Sequence, residues 1–226
     1  MKKYFIWLLL VSIFILTACG ESKNSFKEDY ESINGKENKS GKIHRVVTIP
    51  EDNVFEEVDA KKIVKMIDDK ETFYVYFGSR LCPWCRSVIE KACEIANLRG
   101  ISKIYYVDIW DDEGNEILRD TYILDDANKP VLEKAGTEGY QKLLGYFDAF
   151  LRDYTLSLEN GKTINVGEKR IYAPNFIYVE KGTIKKLVTG KSDNLTDSRG
   201  KLTEEILQDE EKIFDDFFTE ACDDAC

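Results

Sequence analysis

Hydrophobic and polar positions divide the chain into an apolar run, a polar stretch and a long patterned region. Tyr4 to Leu16 is apolar apart from Ser12. Glu21 to Lys42 is dominated by Ser, Asn, Lys, Glu and Gly. That composition predicts a segment unable to bury enough apolar surface to order itself, a flexible tether with a reach on the order of 25 Å. Patterning begins at Lys42, where Ile43, Val46, Val47 and Ile49 predict an extended segment closed by Pro50. Asp59 is placed to cap a helix running to about Asp69, with Ile63, Val64 and Ile67 on one face. The run Phe73-Tyr74-Val75-Tyr76-Phe77 is too short for a helix and predicts a strand buried on both faces, ended by Gly78 and Ser79.

Pro83 suits the first turn of a following helix, because the N–H it lacks has no partner there. The spacing of Val88, Ile89, Ala92, Cys93 and Ala96 extends that helix to about Asn97, and Gly100 stops it. Ile104 to Ile109 reads as a second strand, which makes a right-handed βαβ crossover by the usual handedness rule. About Trp110 to Arg170 is longer than a crossover needs. Its first part, through Leu151, predicts helix, with Leu143, Leu144, Phe147 and Phe150 on one side. Tyr154 to Val166 alternates around Asn160-Gly161 and predicts a hairpin. Asn175–Val179 and Ile184–Val188 are two short strands joined at Lys181-Gly182. Thr189 to Gly200 is a loop, and an amphipathic helix starts near Thr203, using Ile206, Leu207, Ile213, Phe214, Phe217 and Phe218.

Charge narrows the partners. The net charge of -10 and pI near 4.8 repel phosphate backbones and anionic lipid, so nucleic acid is excluded and membrane attachment needs a hydrophobic anchor. His44 is the single histidine, which rules out multi-histidine zinc centres and makes a triad hard to build. Standing alone before the core, it is expected on the surface.

The N-terminal run, preceded by Lys2 and Lys3, has the length of a signal-peptide core rather than of a spanning helix. It ends in Leu16-Thr17-Ala18-Cys19, which resembles the lipobox of bacterial lipoproteins. The resemblance implies cleavage before Cys19 and a lipid on its sulfur. An uncleaved anchor is the alternative, and both place the remaining chain outside the cytoplasm.

The chemistry concentrates at Cys82-Pro83-Trp84-Cys85, where a buried strand meets a helix. A cysteine at a helix N-terminus faces free N–H groups and the positive dipole end, which favour a thiolate. That thiolate attacks a disulfide to form a mixed disulfide, and the second cysteine, one turn on, resolves it. Arg80 and Arg86 flank the pair and are expected to favour the anionic sulfur. Pro83 removes a donor near Cys82, and Trp84 offers an apolar surface to a partner. Cys93 falls on the apolar helix face and reads as a buried small hydrophobe. Cys222 and Cys226, around Asp223-Asp224-Ala225, are a second candidate redox pair, placed to shuttle electrons to or from Cys82 and Cys85 or to form a terminal disulfide. Dispensable tail residues and a four-cysteine zinc site are the competing readings. Zinc is disfavoured by the acidic setting of the tail pair.

These residues resemble the thioredoxin superfamily from about Val54 to Phe218: a strand into Cys82-Pro83-Trp84-Cys85, Ala173-Pro174 leading into a strand, and a β-β-α ending. The nearest likeness is to exported thioredoxin-like proteins that include bacteriocin transport accessory proteins. The resemblance implies an α/β thioredoxin-like fold, a central mixed sheet flanked by helices, with an insertion at about 110–170. It also implies a cis-Pro174 facing the cysteines and an Ala173 backbone that pairs with substrate. One position departs from the family: where several members carry a buried carboxylate six residues before the first cysteine, this chain has Tyr76, which puts a carboxylate relay in doubt. Asp108 is expected to end its strand rather than take that role.

The expected organisation is a signal peptide at 1–18, a tether at 19–42, a domain at 43–218 and an acidic cysteine tail at 219–226. The expected activity is thiol–disulfide exchange by a lipid-anchored extracytoplasmic oxidoreductase. It needs no cofactor beyond the redox-active disulfide. Its partners are exported protein thiols or disulfides and a membrane redox partner or transporter. The alternative is a non-catalytic accessory or binding module for a transporter or exported client.

Overall fold

A computed structural model describes residues 25–219. The signal peptide, Cys19, Cys222 and Cys226 lie outside the described residues. Among the described residues, no helix is long and apolar enough to cross a membrane.

The chain is a mixed α/β structure. Its order is α1 (Ser25–Ser32), β1 (Phe55–Glu57), α2 (Ala60–Asp68), β2 (Phe73–Gly78), α3 (Pro83–Leu98), β3 (Ile104–Asp108), β4 (Thr121–Leu124), β5 (Pro130–Lys134), α4 (Glu138–Phe147), β6 (Arg152–Ser157), β7 (Thr163–Arg170), β8 (Asn175–Glu180), β9 (Thr183–Val188) and α5 (Glu204–Thr219). Five strands form one sheet in the order β1-β3-β2-β8-β9. β1 and β2 both run parallel to β3, while β8 is antiparallel to β2 and to β9.

β2 is central, and all six of its residues are buried. Its side chains alternate between two cores, as a pleated strand requires. Tyr74 and Tyr76 join the core formed with α1, α3 and α5, where Phe26, Val88, Ile89, Phe214 and Phe218 pack. Phe73, Val75 and Phe77 join the other, with Ile63 and Ile67 of α2 and Leu143 and Phe147 of α4. Each such side chain, once fully buried, contributes about 1.5–3 kcal/mol from removal of apolar surface from water. The caps follow chemistry legible in the sequence: the Asp59 carboxylate accepts from Lys62 N at 2.8 Å, and Gly100 adopts φ 68° just past α3.

Several expectations are corrected. The segment at 25–42 is not a tether. α1 buries Phe26 and Tyr30, four residues apart on one face, and Phe26 stacks on Phe55 at 4.4 Å. Two aromatics one turn apart supply the burial that average composition concealed. The folded unit therefore begins before residue 43. The extended segment after it buries Val47 and Ile49 but exposes Ile43 and Val46. It joins no sheet, because side chains replace a neighbouring strand: Asn34 bonds both Val47 N and Val47 O, and Glu31 accepts from Ile49 N. His44 is buried, not superficial.

The helix expected through Leu151 is confined to Glu138–Phe147. Before it, β4 and β5 form a hairpin whose turn is held by the Asp125 side chain accepting from Ala127 N and Lys129 N. Phe150 is exposed rather than on the buried side. The hairpin around Asn160-Gly161 is present and longer than its alternating stretch, as β6 paired with β7.

Candidate functional site

The site is built where β2 passes into α3. Gly78 closes β2 because Tyr76 lies across it: a Cβ at Gly78 would sit 2.2 Å from both Cζ and Oη of Tyr76. The chain then turns through Ser79, whose carbonyl accepts from Cys82 N at 3.1 Å. Cys82 is the N-cap of α3, with extended backbone (φ -77°, ψ 118°), and Pro83 follows in the first turn. The Cys82 Sγ accepts from Cys85 N at 3.4 Å, so the sulfur takes the place of an oxygen cap.

Cys82 and Cys85 are both free thiols and both buried, Cys85 completely and Cys82 with 4% of its surface exposed. Their acidities separate. A hydrogen bond from the Cys85 thiol, opposed by burial and aided by the N–H groups of Cys85 and Trp84 and the charge of Arg119, holds the Cys82 thiol below its ordinary range. Burial, together with the neighbouring Cys82 sulfur, pushes Cys85 well up. Cys82 is therefore the more readily ionised sulfur of the two, and Cys85 the more firmly protonated.

Opposite them, the Ala173–Pro174 peptide bond is cis, and the Ala173 carbonyl lies 3.8 Å from Cys82 Sγ. Trp84 is half-buried, with Lys191 Nζ 5.4 Å from its ring centroid. Below Cys85, the Tyr76 hydroxyl hydrogen-bonds the sulfur and lowers the cost of ionising it. The same hydroxyl lies 2.9 Å from that of Tyr30, on α1. Tyr106 donates to Asp108 Oδ2 at 2.7 Å. Asp108 ends β3, as expected, and is raised by burial against bonds from Trp110 N and Tyr106.

The flanking arginines do not do what their positions in the sequence suggested. Arg80 pairs with Asp112 at 2.8 Å. Arg86 is buried and donates to the carbonyls of Arg45 (2.8 Å), Tyr30 (2.8 Å) and Arg80 (3.2 Å). It is a clamp that ties α1 and the 43–49 segment to the turn before Cys82. A cation that does help lower Cys82 is Arg119, from the insertion, although its charge is the weakest of the influences named above. Its Nε donates to Glu116 Oε2 at 2.9 Å and its Nη1 to Ile171 O at 3.2 Å. Arg170 reaches the same Glu116 oxygen at 3.3 Å. Two guanidinium groups share this carboxylate, and the buried Asp120, whose backbone carbonyl accepts from Arg170 Nη1 at 2.6 Å, lies in the same cluster.

Sequence reasoning missed Tyr30, Glu116, Arg119 and Arg170. The Glu116-x-x-Arg119 spacing was the available signal for the ion pair, but nothing local marked its approach to Cys82. Cys93 is fully buried as expected, and burial pushes its thiol up. Among the described residues, no group of three or more His, Cys, Asp or Glu is placed to hold a metal ion. No protein-family model matches the chain, and comparison with curated proteins finds no significant match.

Proposed function

We propose that the protein is a thioredoxin-like thiol–disulfide oxidoreductase that uses Cys82 as nucleophile and Cys85 as resolving thiol. The single observation that carries this reading is the asymmetry of the pair. One sulfur caps a helix and is held acidic by its neighbours, while the other lies fully buried one turn below and is held protonated. A structural cysteine pair has no need of such a difference. The β2–α3 junction, the cis Ala173–Pro174 bond facing it and the β8-β9-α5 ending support the likeness to the thioredoxin superfamily.

In the forward step the Cys82 thiolate attacks one sulfur of a client disulfide. That disulfide breaks, and the departing sulfur takes a proton from solvent. Cys85 then loses its proton and attacks Cys82 Sγ, releasing the client as a thiol and leaving a Cys82–Cys85 disulfide. The Tyr76 hydroxyl bonds Cys85 during this second step, when negative charge develops on a sulfur closed off from water. The lipobox-like Leu16-Thr17-Ala18-Cys19 supports a lipid-anchored protein working on exported proteins at the outer face of a bacterial membrane.

The test is equilibration with glutathione, followed by thiol trapping. The pair should interconvert cleanly between dithiol and disulfide. A potential near that of thioredoxin, about -270 mV, marks a reductant, and a much higher one marks an oxidase or isomerase. A pair that never forms the disulfide returns the protein to the accessory-module reading. In that case Cys82→Ser/Cys85→Ser protein should keep its cellular function.

A further inference from the structure

Beside Cys82 lies a groove of about 180 Å³ lined by Trp84, Tyr172, Ala173, Pro174, Arg152 and Lys191, among others. The Ala173 carbonyl at its edge is the one that faces Cys82 Sγ at 3.8 Å. Two cations stand over its aromatic walls: Lys191 over Trp84 at 5.4 Å and Arg152 over Tyr172 at 5.3 Å. Among the described residues neither forms a salt bridge. The Lys191 ammonium donates only to the carbonyls of Ser192 and Leu195, and Asp153, next to Arg152, is engaged by Lys169 at 2.9 Å. On a chain of net charge -10, two cations without salt bridges beside one reactive sulfur select an acidic segment carrying a cysteine.

The chain itself contains such a segment, Cys222-Asp223-Asp224-Ala225-Cys226. It cannot serve its own copy. α5 runs alongside α3 in the same direction, with Glu211 at Lys91 (3.8 Å) and Asp215 at Arg99 (2.6 Å). Thr219 therefore stands at the end of α3 remote from Cys82. α3 has 16 residues, about 24 Å of helix. Cys222 is three residues past Thr219 and reaches at most about 10 Å, and Cys226 spans about 24 Å only as a straight, fully extended line. No length remains for passing around the protein surface.

Resting on the oxidoreductase reading above, we propose that the groove receives the C-terminal segment of a second copy. Asp223 and Asp224 would lie against Arg152 and Lys191, and Cys82 would exchange with the Cys222–Cys226 pair. The Cys82 thiolate attacks Cys222 Sγ of a second copy's Cys222–Cys226 disulfide, and Cys226 of that copy leaves as a thiolate and is protonated by solvent. Cys85 then gives up its proton and attacks Cys82 Sγ, releasing Cys222. Two electrons pass from one copy's Cys82–Cys85 dithiol to the other copy's tail. The reverse sequence of bonds returns them.

The experiment uses full-length chain in detergent carrying Cys85→Ser, which cannot resolve a mixed disulfide. It is mixed with full-length Cys82→Ser/Cys85→Ser chain whose tail pair has been oxidised. The expected product is a disulfide-linked dimer with Cys82 joined to Cys222 or Cys226, identified by mass spectrometry of the linked peptides. Its rate of formation should fall about tenfold when Arg152→Glu/Lys191→Glu is added to the Cys85→Ser chain, and should fall with rising salt. A Cys82–Cys222 or Cys82–Cys226 link within one chain overturns the exchange between copies. Absence of any link, or a rate indifferent to the two cations, overturns the groove's role. The same Cys85→Ser protein is also offered hydroxyethyl disulfide, a small neutral probe. If Cys82 reacts with the probe but not with the tail, only this proposal fails and the groove belongs to another client. If Cys82 reacts with neither, the oxidoreductase reading fails with it.

Discussion

The hydroxyl of Tyr30, on the first helix, lies 2.9 Å from the hydroxyl of Tyr76, on the central strand, with both rings buried. Through Tyr76 this contact reaches Cys85. The N-terminal helix thereby becomes part of the environment of the cysteine pair.

Tyr76→Phe removes the hydrogen bond to Cys85 and orphans the Tyr30 hydroxyl. The bond favours ionised Cys85, so its loss raises that thiol further. A hydrogen bond to a charged group is worth about 1.5–3 kcal/mol, which corresponds to roughly 10–100-fold slower attack of Cys85 on a mixed disulfide. First attack by Cys82 should change much less. Single-turnover kinetics that separate the two steps check this, and equal slowing of both would mean that Tyr76 is merely packing.

How much of this was legible follows from where the information sits. β2, the Cys82-to-Cys85 turn, the cap at Asp59 and the Asn160-Gly161 hairpin are local signals, and the sequence carries them within a few residues. Tyr30 and Arg119 act across long sequence distances, and no periodicity reports such contacts. The polar residues around Phe26 and Tyr30 diluted a two-residue apolar face below what composition detects. Arg80 and Arg86 misled because proximity in sequence to Cys82 says nothing about where a long side chain ends. One reaches Asp112 and the other reaches backbone carbonyls.

Phe26→Ala tests the reassigned segment. Phe26 is 3% exposed and stacks on Phe55. Its truncation should cost about 3–5 kcal/mol of stability, read from the urea midpoint. A tether residue would cost close to nothing, so a midpoint unmoved by the substitution would restore the tether.

Arg119→Gln removes the cation that helps hold Cys82 acidic and leaves Glu116 with Arg170 alone. The Cys82 thiol should rise, and the pH profile for alkylation of Cys82 by iodoacetamide should move to higher pH. The rate at neutral pH falls because the thiolate fraction falls. Arg80→Gln, which removes a cation already paired with Asp112, should move that profile less. A larger shift from Arg80 than from Arg119 would make Arg80 the cation that favours the Cys82 thiolate.

Glu210 offers a stability test of a different kind. On α5, it is fully buried, and neither carboxylate oxygen has a hydrogen-bond partner. Burial raises its pKa from 4.5 to about 8, against the opposing attraction of Arg45 and Lys91. The folded state therefore holds a proton that the unfolded chain has released. Stability contributed by the neutral acid is complete below 4.5 and is lost progressively as pH rises to about 8. The slope is on the order of 1.4 kcal/mol per pH unit across that window where the two states differ by a full proton. Glu210→Gln keeps the shape and removes the titration. Its unfolding free energy should be flatter between pH 5 and 8, with the variant more stable than the parent at the upper end. Equal slopes for the two proteins over that range would mean that Glu210 is ionised in the fold and compensated by Arg45 and Lys91.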